Sequence, residues 1–312
     1  MRSKHTLFFI FYVVICLCVV EAVLRIFRYP YIGCTSIDEV SEYQIGQYDP
    51  VLGWSYAHPR STTLWDEKIY SFNADGYRVD AVGDKIDSSK PNILLIGDSF
   101  LFGHGLNFKE TFGYKLQEKL GNSYNVINFA VQGYGLDQAY LQLQRVMPIY
   151  APRYVIIDLH EDQDYRNANW DRRSMFPCSH MAGTKPMYSV RDRKLLLVHT
   201  PERFETYDSP RIKLLWNRIA DSLNQKYTDK VELSAYLYRA VRSYTEEHGA
   251  RLFEINYLLG IREYQMHPVT ASASAIVVDY GRGYDNDGVH PNDRATTRMV
   301  DEFMAVLGDQ LQ

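Results

Sequence analysis

The chain has 312 residues, of which 46% are hydrophobic and 23% are charged, and its formal net charge is −4. This composition is typical of a globular protein, and the length is enough for one large α/β domain with additional segments. A slightly acidic chain lacks the excess of basic residues with which proteins bind nucleic acids, so we exclude nucleic acid as a partner.

The amino-terminal segment is the most apolar part of the chain. Arg2 and Lys4 precede an uncharged apolar run that extends from Leu7 to Val20. Fourteen residues are the length of a signal-peptide core, and Val20-Glu21-Ala22 offers a small residue for cleavage. A cleaved signal, after which the protein would be secreted, is therefore one interpretation of this segment.

The helical pattern continues past this run, from Ala22 to Phe27. An uncleaved, tilted helix from about Thr6 to Phe27 is long enough to cross a membrane. We prefer a membrane anchor over residues 1–28, with a buried helix of a soluble protein as the third interpretation. The basic residues at the start favour an amino end inside the cell, which places the rest of the chain in the periplasm or at the cell surface.

The cysteines show no metal-binding pattern. Cys16 and Cys18 lie in the apolar run, and Cys34 and Cys178 lie outside it. An exported chain could pair the last two, but two unrelated thiols are equally compatible with the sequence. The spacings match no zinc motif, and we expect no metal and no cofactor.

Residues 29–88 are rich in Gly, Pro, Asp and Tyr and contain strand-like fragments, with a plausible turn at Asp75-Gly76. We interpret them as an irregular extension. Residues 89–312 form the main domain, with a polar insertion over 165–208 that is long enough to be functional.

The main domain alternates apolar strands with amphipathic helices. Strands are predicted over 92–96, 125–130, 154–159 and 251–256, and helices near 109–120, 136–147, 209–223, 231–249 and 293–307. Gly121 and Pro148 are expected to end the first two helices, and Ser209 to cap the third. This alternation predicts an α/β fold, with a parallel sheet covered by helices on both faces.

A glycine, a carboxylate and a hydroxyl, Gly97-Asp98-Ser99, directly follow the first strand of the main domain. Open α/β sheets place their ligand sites at the carboxyl ends of the strands. Ser99 is therefore a candidate nucleophile, although a serine in this position can also simply cap the next helix. The choice depends on partners elsewhere in the chain.

Candidate partners of Ser99 follow the other strands. Gly133 lies in a turn after the second strand, and Gln163 follows the third. Asp287 precedes His290 by three residues, so one turn can carry a base together with the carboxylate that orients it. A serine needs an imidazole to accept its proton, and the oxyanion needs donors, which the Ser99 and Gly133 N–H groups and the Gln163 amide could supply.

These blocks resemble the SGNH, or GDSL, hydrolase superfamily, including its membrane-anchored bacterial members. "GDSF" matches the block that contains the nucleophile, "NFAVQGYG" the block with the oxyanion glycine, and "DGVHPN" the block with the Asp-x-x-His pair. The resemblance spans about residues 89–308. It implies a three-layer α/β/α, flavodoxin-like domain with a central parallel sheet, and a catalytic triad of Ser99, Asp287 and His290.

One block departs from the family pattern. The family has Gly-x-Asn-Asp after the third strand, whereas this chain has Glu161-Asp162-Gln163-Asp164. Gln keeps the amide on a longer stem, so the third oxyanion donor is the least secure part of the site. His160, Glu161, Asp162 and Asp164 could alternatively suggest a metal site.

The resemblance implies an exported serine esterase that hydrolyses small acyl esters, such as acetyl groups on cell-envelope glycans, through an acyl-enzyme. Two alternatives stay open. A polysaccharide O-acyltransferase would use the same triad and pass the acyl group to a sugar hydroxyl. A catalytically inactive glycan-binding domain is the other, and the replacement at Gln163 is the feature that favours it.

Overall fold

The structure is a computed structural model that describes residues 2–30, 46–63, 67–174, 181–258, 275–279 and 289–311. Its strands are β1 Gly46–Asp49, β2 Gly53–Tyr56, β3 Arg60–Thr63, β4 Ile69–Phe72, β5 Arg78–Val79, β6 Asn92–Ile96, β7 Asn125–Asn128, β8 Tyr154–Leu159, β9 Met187–Arg191, β10 Lys194–His199, β11 Arg251–Leu258 and β12 Ala275–Asp279. Its α-helices are α1 Arg2–Ile26, α2 Ser99–Phe102, α3 Phe112–Leu120, α4 Leu136–Tyr150, α5 Asp162–Asn167, α6 Phe204–Tyr207, α7 Arg211–Tyr227, α8 Lys230–Glu247 and α9 Asp293–Leu307.

The central sheet contains five parallel strands in the order β12-β11-β8-β6-β7. The strand that comes first along the chain, β6, lies between the second and the third, which is the flavodoxin-like order. Helices α3 and α9 pack on one face of the sheet, and α4 and α8 pack on the other. The predicted α/β class and three-layer architecture are confirmed. Strand β12, which sequence analysis did not predict, extends the sheet at one edge.

The topology explains why the polar residues after β6 matter. Strand β6 lies between β7 and β8. The connection from β6 to β7 passes through α3 on one face of the sheet, and the connection from β7 to β8 passes through α4 on the other face. A crevice therefore opens at the carboxyl end of β6. The strand itself is buried: Ile93, Leu94 and Leu95 are fully covered by the helices on both faces. A buried strand that ends in Gly97-Asp98-Ser99 therefore delivers these groups to the crevice.

The segment interpreted as an irregular extension contributes to the sheet. Strand β4 pairs antiparallel with β3 on one side and with β5 on the other, and Arg78 of β5 pairs with Asn128 of β7. They prolong the sheet beyond β7, while β1 and β2 form a separate hairpin. Sequence analysis missed this because each strand is only two to four residues long, too short for alternation to be visible.

Two predicted helix boundaries are wrong. Helix α4 continues through Pro148 to Tyr150 and ends at Ala151. Pro148 lies in the last turn on the exposed side, where the loss of one backbone donor is least costly. Helix α7 is not capped by Ser209: its N-terminal N–H groups, from Arg211 and Ile212, donate to the carboxylate of Glu21 at 3.0 Å each.

The insertion over 165–208 is partly regular. It contains the end of α5, the antiparallel hairpin of β9 and β10, and the short helix α6. Trp170, Met187, Tyr207 and Leu214 form a small separate core beneath it. The insertion is therefore packed against α7 rather than extended into solvent.

Arg78 joins the amino-terminal strands to the segment after Ser99. Its guanidinium is buried and donates to the carbonyls of Phe102 (2.6 Å), Gly103 (2.8 Å) and Leu106. It also lies 4.6 Å from the ring centroids of Tyr70 and Phe102, in cation–π contact with both. One side chain thus satisfies the carbonyl groups at the end of α2.

We expect Arg78→Met to lower the free energy of unfolding by about 3 kcal/mol or more, because three buried carbonyls lose a charged donor. Arg78→Lys should be intermediate, since an ammonium cannot reproduce the planar fork. Urea unfolding of the full chain in detergent, followed by circular dichroism, measures the change. Arg60→Met, at an exposed position of β3, is the control and should stay within about 0.5 kcal/mol. Equal midpoints for the Arg78→Met and Arg60→Met variants would contradict the prediction.

Candidate active site

Two carboxyl groups hold the turn that carries Ser99. The side chain of Asp98 accepts a hydrogen bond from Phe100 N (3.0 Å) and so caps α2, whose first residue is Ser99. From the neighbouring strand β8, the carboxyl of Asp158 accepts from Asp98 N (3.1 Å) and Leu101 N (3.3 Å). The backbone on either side of Ser99 is therefore fixed by one carboxyl from strand β8 and one from the N-cap of α2.

Gly97 is required for this arrangement. A Cβ atom at position 97 would lie 1.8 Å from Oδ1 of Asp158, far inside any permitted contact distance. The carboxyl of Asp158 thus occupies the space that a side chain at position 97 would need. The first residue of the Gly-Asp-Ser sequence is a glycine because β8 brings a carboxyl against its backbone.

His290 lies beside Ser99, 191 positions away in the sequence. Its Nε2 atom is 2.8 Å from the Ser99 Oγ atom, within hydrogen-bond distance. The ring contacts those of Phe100 and His104, with centroids 5.2 Å and 4.4 Å away. The structure therefore brings together a hydroxyl and an imidazole in the geometry that proton transfer between them requires.

Asp287 lies outside the described residues, as do Cys34 and Cys178. The pairing of Asp287 with His290, and the state of the two thiols, stay predictions.

The turn at Gly133 is built by the β1–β2 hairpin. Gly133 has φ +79°, a conformation that favours glycine. Next to it, Gln132 N donates to Tyr56 Oη (2.8 Å), and Trp54 Nε1 donates to the carbonyl of Gln132 (3.1 Å). Val131 N donates to the carbonyl of Gly97 (3.0 Å), which ties this turn to the one that carries Ser99. The two turns thus lie side by side at the carboxyl edge of the sheet.

Gln163 is buried in the first turn of α5. Its Nε2 donates to the carbonyl of Asp158 at 3.2 Å. One amide hydrogen is therefore engaged with β8, and only the second would be available to an oxyanion. The nearest other side-chain amides along the chain are also engaged. Asn167 Oδ1 accepts from Leu136 N and Asn167 Nδ2 donates to Ser234 Oγ, while Asn169 Nδ2 donates to Asp221 Oδ2.

A buried charge cluster lies behind the turn. Asp98 Oδ2 accepts hydrogen bonds from His160 Nε2 and Arg166 Nη1, each at 2.5 Å. Burial alone would raise the pKa of Asp98, but the positive charge of Arg166 and the His160 ring outweigh it and hold that pKa well below its usual range. Asp98 is therefore ionised in the folded chain.

The pKa of Asp158 moves in the opposite direction. Burial raises it well above its ordinary value, and the negative charge of Asp98 raises it further. Asp158 is accordingly protonated where Asp98 is ionised, and two carboxyls can occupy one buried site because only one carries a charge.

The metal alternative is not supported by the contacts. Within the described ranges, no group of three or more His, Cys, Asp or Glu side chains is arranged to hold a metal ion. His160 donates to Asp98, and Asp162 binds Arg166 Nε at 2.6 Å. His160 is thus engaged in the buried charge cluster, and Asp162 in an ion pair within α5.

Sequence analysis missed His104, Arg166 and the role of His160. The ring of His104 contacts His290, and its Nδ1 atom is hydrogen-bonded to the amide of Gln132. His160 and Arg166 bond Asp98 across the crevice. No sequence spacing identifies these contacts, because they join three different strand ends. The only local signal is that five polar residues, His160 to Asp164, follow β8 directly.

No protein-family model matches the chain, and no curated protein sequence matches it. Solved structures do match. The psychrotrophic esterase EstA from Pseudoalteromonas sp. is 14% identical, with 71% of this chain and 99% of that chain covered and a TM-score of 0.42. TesA is 14% identical (70% and 98% covered, TM-score 0.42), and a catalytic mutant of an acetylxylan esterase from Geobacillus stearothermophilus is 12% identical (72% and 97%, TM-score 0.41).

We expect Asp158→Asn to gain stability relative to the wild type as the pH rises above about 4, the ordinary carboxyl pKa, toward the raised pKa of the folded Asp158. In that window the folded wild type retains a proton on Asp158 that the unfolded chain has lost, so its stability falls with rising pH, by at most about 1.4 kcal/mol per unit. The side-chain oxygen of Asn can still accept from the N–H groups of Asp98 and Leu101, and its NH2 group can donate to the Asp98 carboxylate. Because Asn does not titrate, the variant lacks the loss of stability at rising pH. Urea unfolding at stepped pH values measures the difference.

Asp98→Asn is the matched control and should show the opposite trend. The depressed pKa of Asp98 contributes stability above about pH 4, and this stability is lost as the pH falls through and below that value. The variant also leaves the buried Arg166 with Asp162 as its remaining carboxylate partner, so its deficit should be about 2 kcal/mol or more near neutrality and should shrink in acid. Parallel pH profiles for the two variants would contradict the charge assignment.

Proposed function

We propose that this chain is an SGNH-type serine esterase. The observation that carries the proposal is the 2.8 Å contact between Ser99 Oγ and His290 Nε2 at the carboxyl end of β6. The hydroxyl lies in a turn fixed by two carboxyl groups, so its position is set before any substrate arrives. The Gly-Asp-Ser, Gly133 and Asp-x-x-His blocks supply the other parts that acyl transfer requires.

The reaction proceeds in two steps. Ser99 Oγ attacks the ester carbonyl carbon while His290 Nε2 accepts the hydroxyl proton, and that proton passes to the leaving alcohol as its C–O bond breaks. Water then attacks the acyl-enzyme, His290 accepts a proton from it, and the carboxylic acid leaves as Ser99 regains its proton. Asp287 holds the imidazole in the required tautomer.

The developing oxyanion is stabilised by the N–H groups of Ser99 and Gly133. A rigid turn there is supported by the positive φ of Gly133, by the bond from Gln132 N to Tyr56 Oη and by the bond from Trp54 Nε1 to the Gln132 carbonyl. Donors held in place before reaction contribute most to catalysis. The amide of Gln163 is the proposed third donor, through the hydrogen that Asp158 does not use.

The proposed substrates are small acyl esters, such as acetyl groups on cell-envelope glycans, outside the cytoplasm. Export is supported by α1, where His5–Ile26 is apolar and long enough to cross a membrane. Continuity of that helix through Glu21, which contacts the main domain, favours an anchor over a cleaved signal.

We expect Ser99→Ala and His290→Ala each to abolish labelling by a fluorophosphonate probe and nearly all hydrolysis of a short-chain aryl ester. Nucleophile and base act as a unit, so either loss has the same effect. Ser89→Ala, at an exposed hydroxyl outside the site, is the control and should retain full activity. Turnover by Ser99→Ala equal to that of Ser89→Ala would overturn the proposal.

The same assay separates the alternatives. A glycan-binding domain without activity would give no label in the wild type. An O-acyltransferase would label, but would transfer the acyl group to an added sugar acceptor faster than to water.

We expect Gln163→Ala to lower kcat by about 10²–10³ with little change in KM, because an oxyanion contact acts in the transition state. Gln163→Asn should retain part of the activity. Unfolding midpoints of both variants are needed as the control, since the bond to the Asp158 carbonyl is also lost. A lower midpoint with kcat within about twofold would show that Gln163 is only a support for β8.

A carboxyl-terminal alkaline-phosphatase fusion should be active, because that enzyme matures only outside the cytoplasm and α1 would carry the domain there. An inactive phosphatase fusion beside an active cytoplasmic reporter fusion would reverse the topology.

A further inference from the structure

Helix α7 exposes its apolar side. Trp216 is 70% exposed, Ile219 45%, Leu223 49% and Tyr227 75%. Steps of three, four and four residues place these side chains on one face of the helix. We call this set of four residues the α7 apolar face.

The opposite side of α7 is bound to the domain largely by polar contacts. Asp221 is buried and accepts from Trp170 N and from Asn169 Nδ2, both at 3.0 Å, and Asn224 Nδ2 donates to the carbonyl of Ala168 at 2.7 Å. Leu214 is the only apolar side chain of α7 that is fully buried among the residues described. A surface helix of a soluble protein normally has the reverse polarity. The inversion indicates that the outer side faces an apolar environment.

The start of α7 is attached to the proposed membrane anchor. Glu21 of α1 accepts from Arg211 N and Ile212 N at 3.0 Å each, and Arg211 Nη1 donates to the carbonyl of Pro30 at 3.3 Å. Arg25 Nε donates to the same carboxylate at 2.6 Å. These bonds fix where α7 begins relative to the apolar helix.

The length of α1 then sets the depth of α7. The apolar segment His5–Ile26 has 22 residues, about 33 Å at 1.5 Å per residue, against a hydrocarbon core of about 30 Å. Glu21 lies five residues before its end, about 7 Å along the axis. When α1 is centred in a bilayer, Glu21 and the first turn of α7 therefore lie about 6 Å inside the edge of the hydrocarbon core, which is the depth at which interfacial helices rest.

We infer that the α7 apolar face is a membrane-contact surface that rests in the lipid interface beside the anchor. This inference depends on the anchoring in the proposed function and not on the esterase chemistry. Trp216 and Tyr227 are the residue types that prefer the interface, and the exposed basic residue Lys226 can extend to lipid phosphates. Lys226 Nζ lies 5.3 Å from the Tyr227 ring centroid, at the border of the face.

Lipid is favoured over a second copy of the chain because α7 begins on an apolar helix of membrane-spanning length, to which Arg211 and Ile212 bind. Val23 and Ile26, on the turns of α1 around Arg25, are also exposed. A protein partner would have to cover the end of the anchor as well as α7. The bilayer covers both without any further contact.

The test uses the full chain in nanodiscs at one chain per disc. The fluorescence of Trp216, obtained as the difference between wild type and Trp216→Phe, is measured with and without phosphatidylcholine brominated near the headgroup end of its acyl chains. We expect brominated lipid to quench at least half of this component. Ile219→Asp with Leu223→Asp should reduce the quenching at least twofold, whereas Ile149→Asp, at an exposed apolar position on α4, should leave it unchanged.

Alkylation of Cys16 and Cys18 in the nanodisc, measured by peptide mass spectrometry, distinguishes failure of the α7 membrane contact from failure of the membrane anchor itself. Protected thiols with an unquenched Trp216 would overturn the membrane-contact surface and leave the anchor intact. Alkylated thiols would overturn both, and the esterase assay would stay unaffected. An unquenched Trp216 together with a dimer in detergent that Trp216→Asp dissociates would assign the α7 apolar face to a second copy instead.

Discussion

The hydrogen bonds from Asp98 N and Leu101 N to the carboxyl of Asp158 are the interaction on which the site depends. They join β6 to β8 at the edge where the sheet opens, and they require glycine at position 97 because the carboxyl occupies the space of a side chain. They also place a second carboxyl against Asp98, so the two groups must differ in charge. His160 and Arg166 set that difference by binding Asp98. The position of Ser99 thus follows from how the protein accommodates two buried acids.

The amino-terminal strands belong to this arrangement. Trp54 and Tyr56 hold the turn that contains Gly133, and Arg78 holds the carbonyls after α2. The amino-terminal strands β1–β5 therefore support both of the turns that line the crevice. The parallel strands and Asp158 hold the start of the turn at Ser99, and Trp54, Tyr56 and Arg78 add contacts that fix the loops after β6 and β7.

Much of the fold could be predicted from the sequence because β6, β7, β8 and their helices have strong apolar periodicity. The short strands β1–β5 could not, since they are stabilised by neighbours and not by their own pattern. The same distinction applies to the site. Ser99 and His290 follow motifs with fixed local spacing, whereas the bonds of Asp98 to His160 and Arg166 join residues more than 60 positions apart. The cap on α7 is the clearest case: Ser209 was expected from local rules, and the observed acceptor, Glu21, lies 190 positions earlier.

That cap has a consequence for the maturation of the protein. A signal peptidase that cut after Ala22 would remove Glu21, and two N–H groups at the start of α7 would lose their acceptor, at a cost of about 1 kcal/mol of helix stability. Once the domain has folded, the same bonds hold the backbone around Val20-Glu21-Ala22 as helix, a conformation that proteases must unwind before they can cut. Cleavage and folding therefore compete for one short segment. The rate at which α7 docks on α1 during translocation would decide whether the chain remains in one piece.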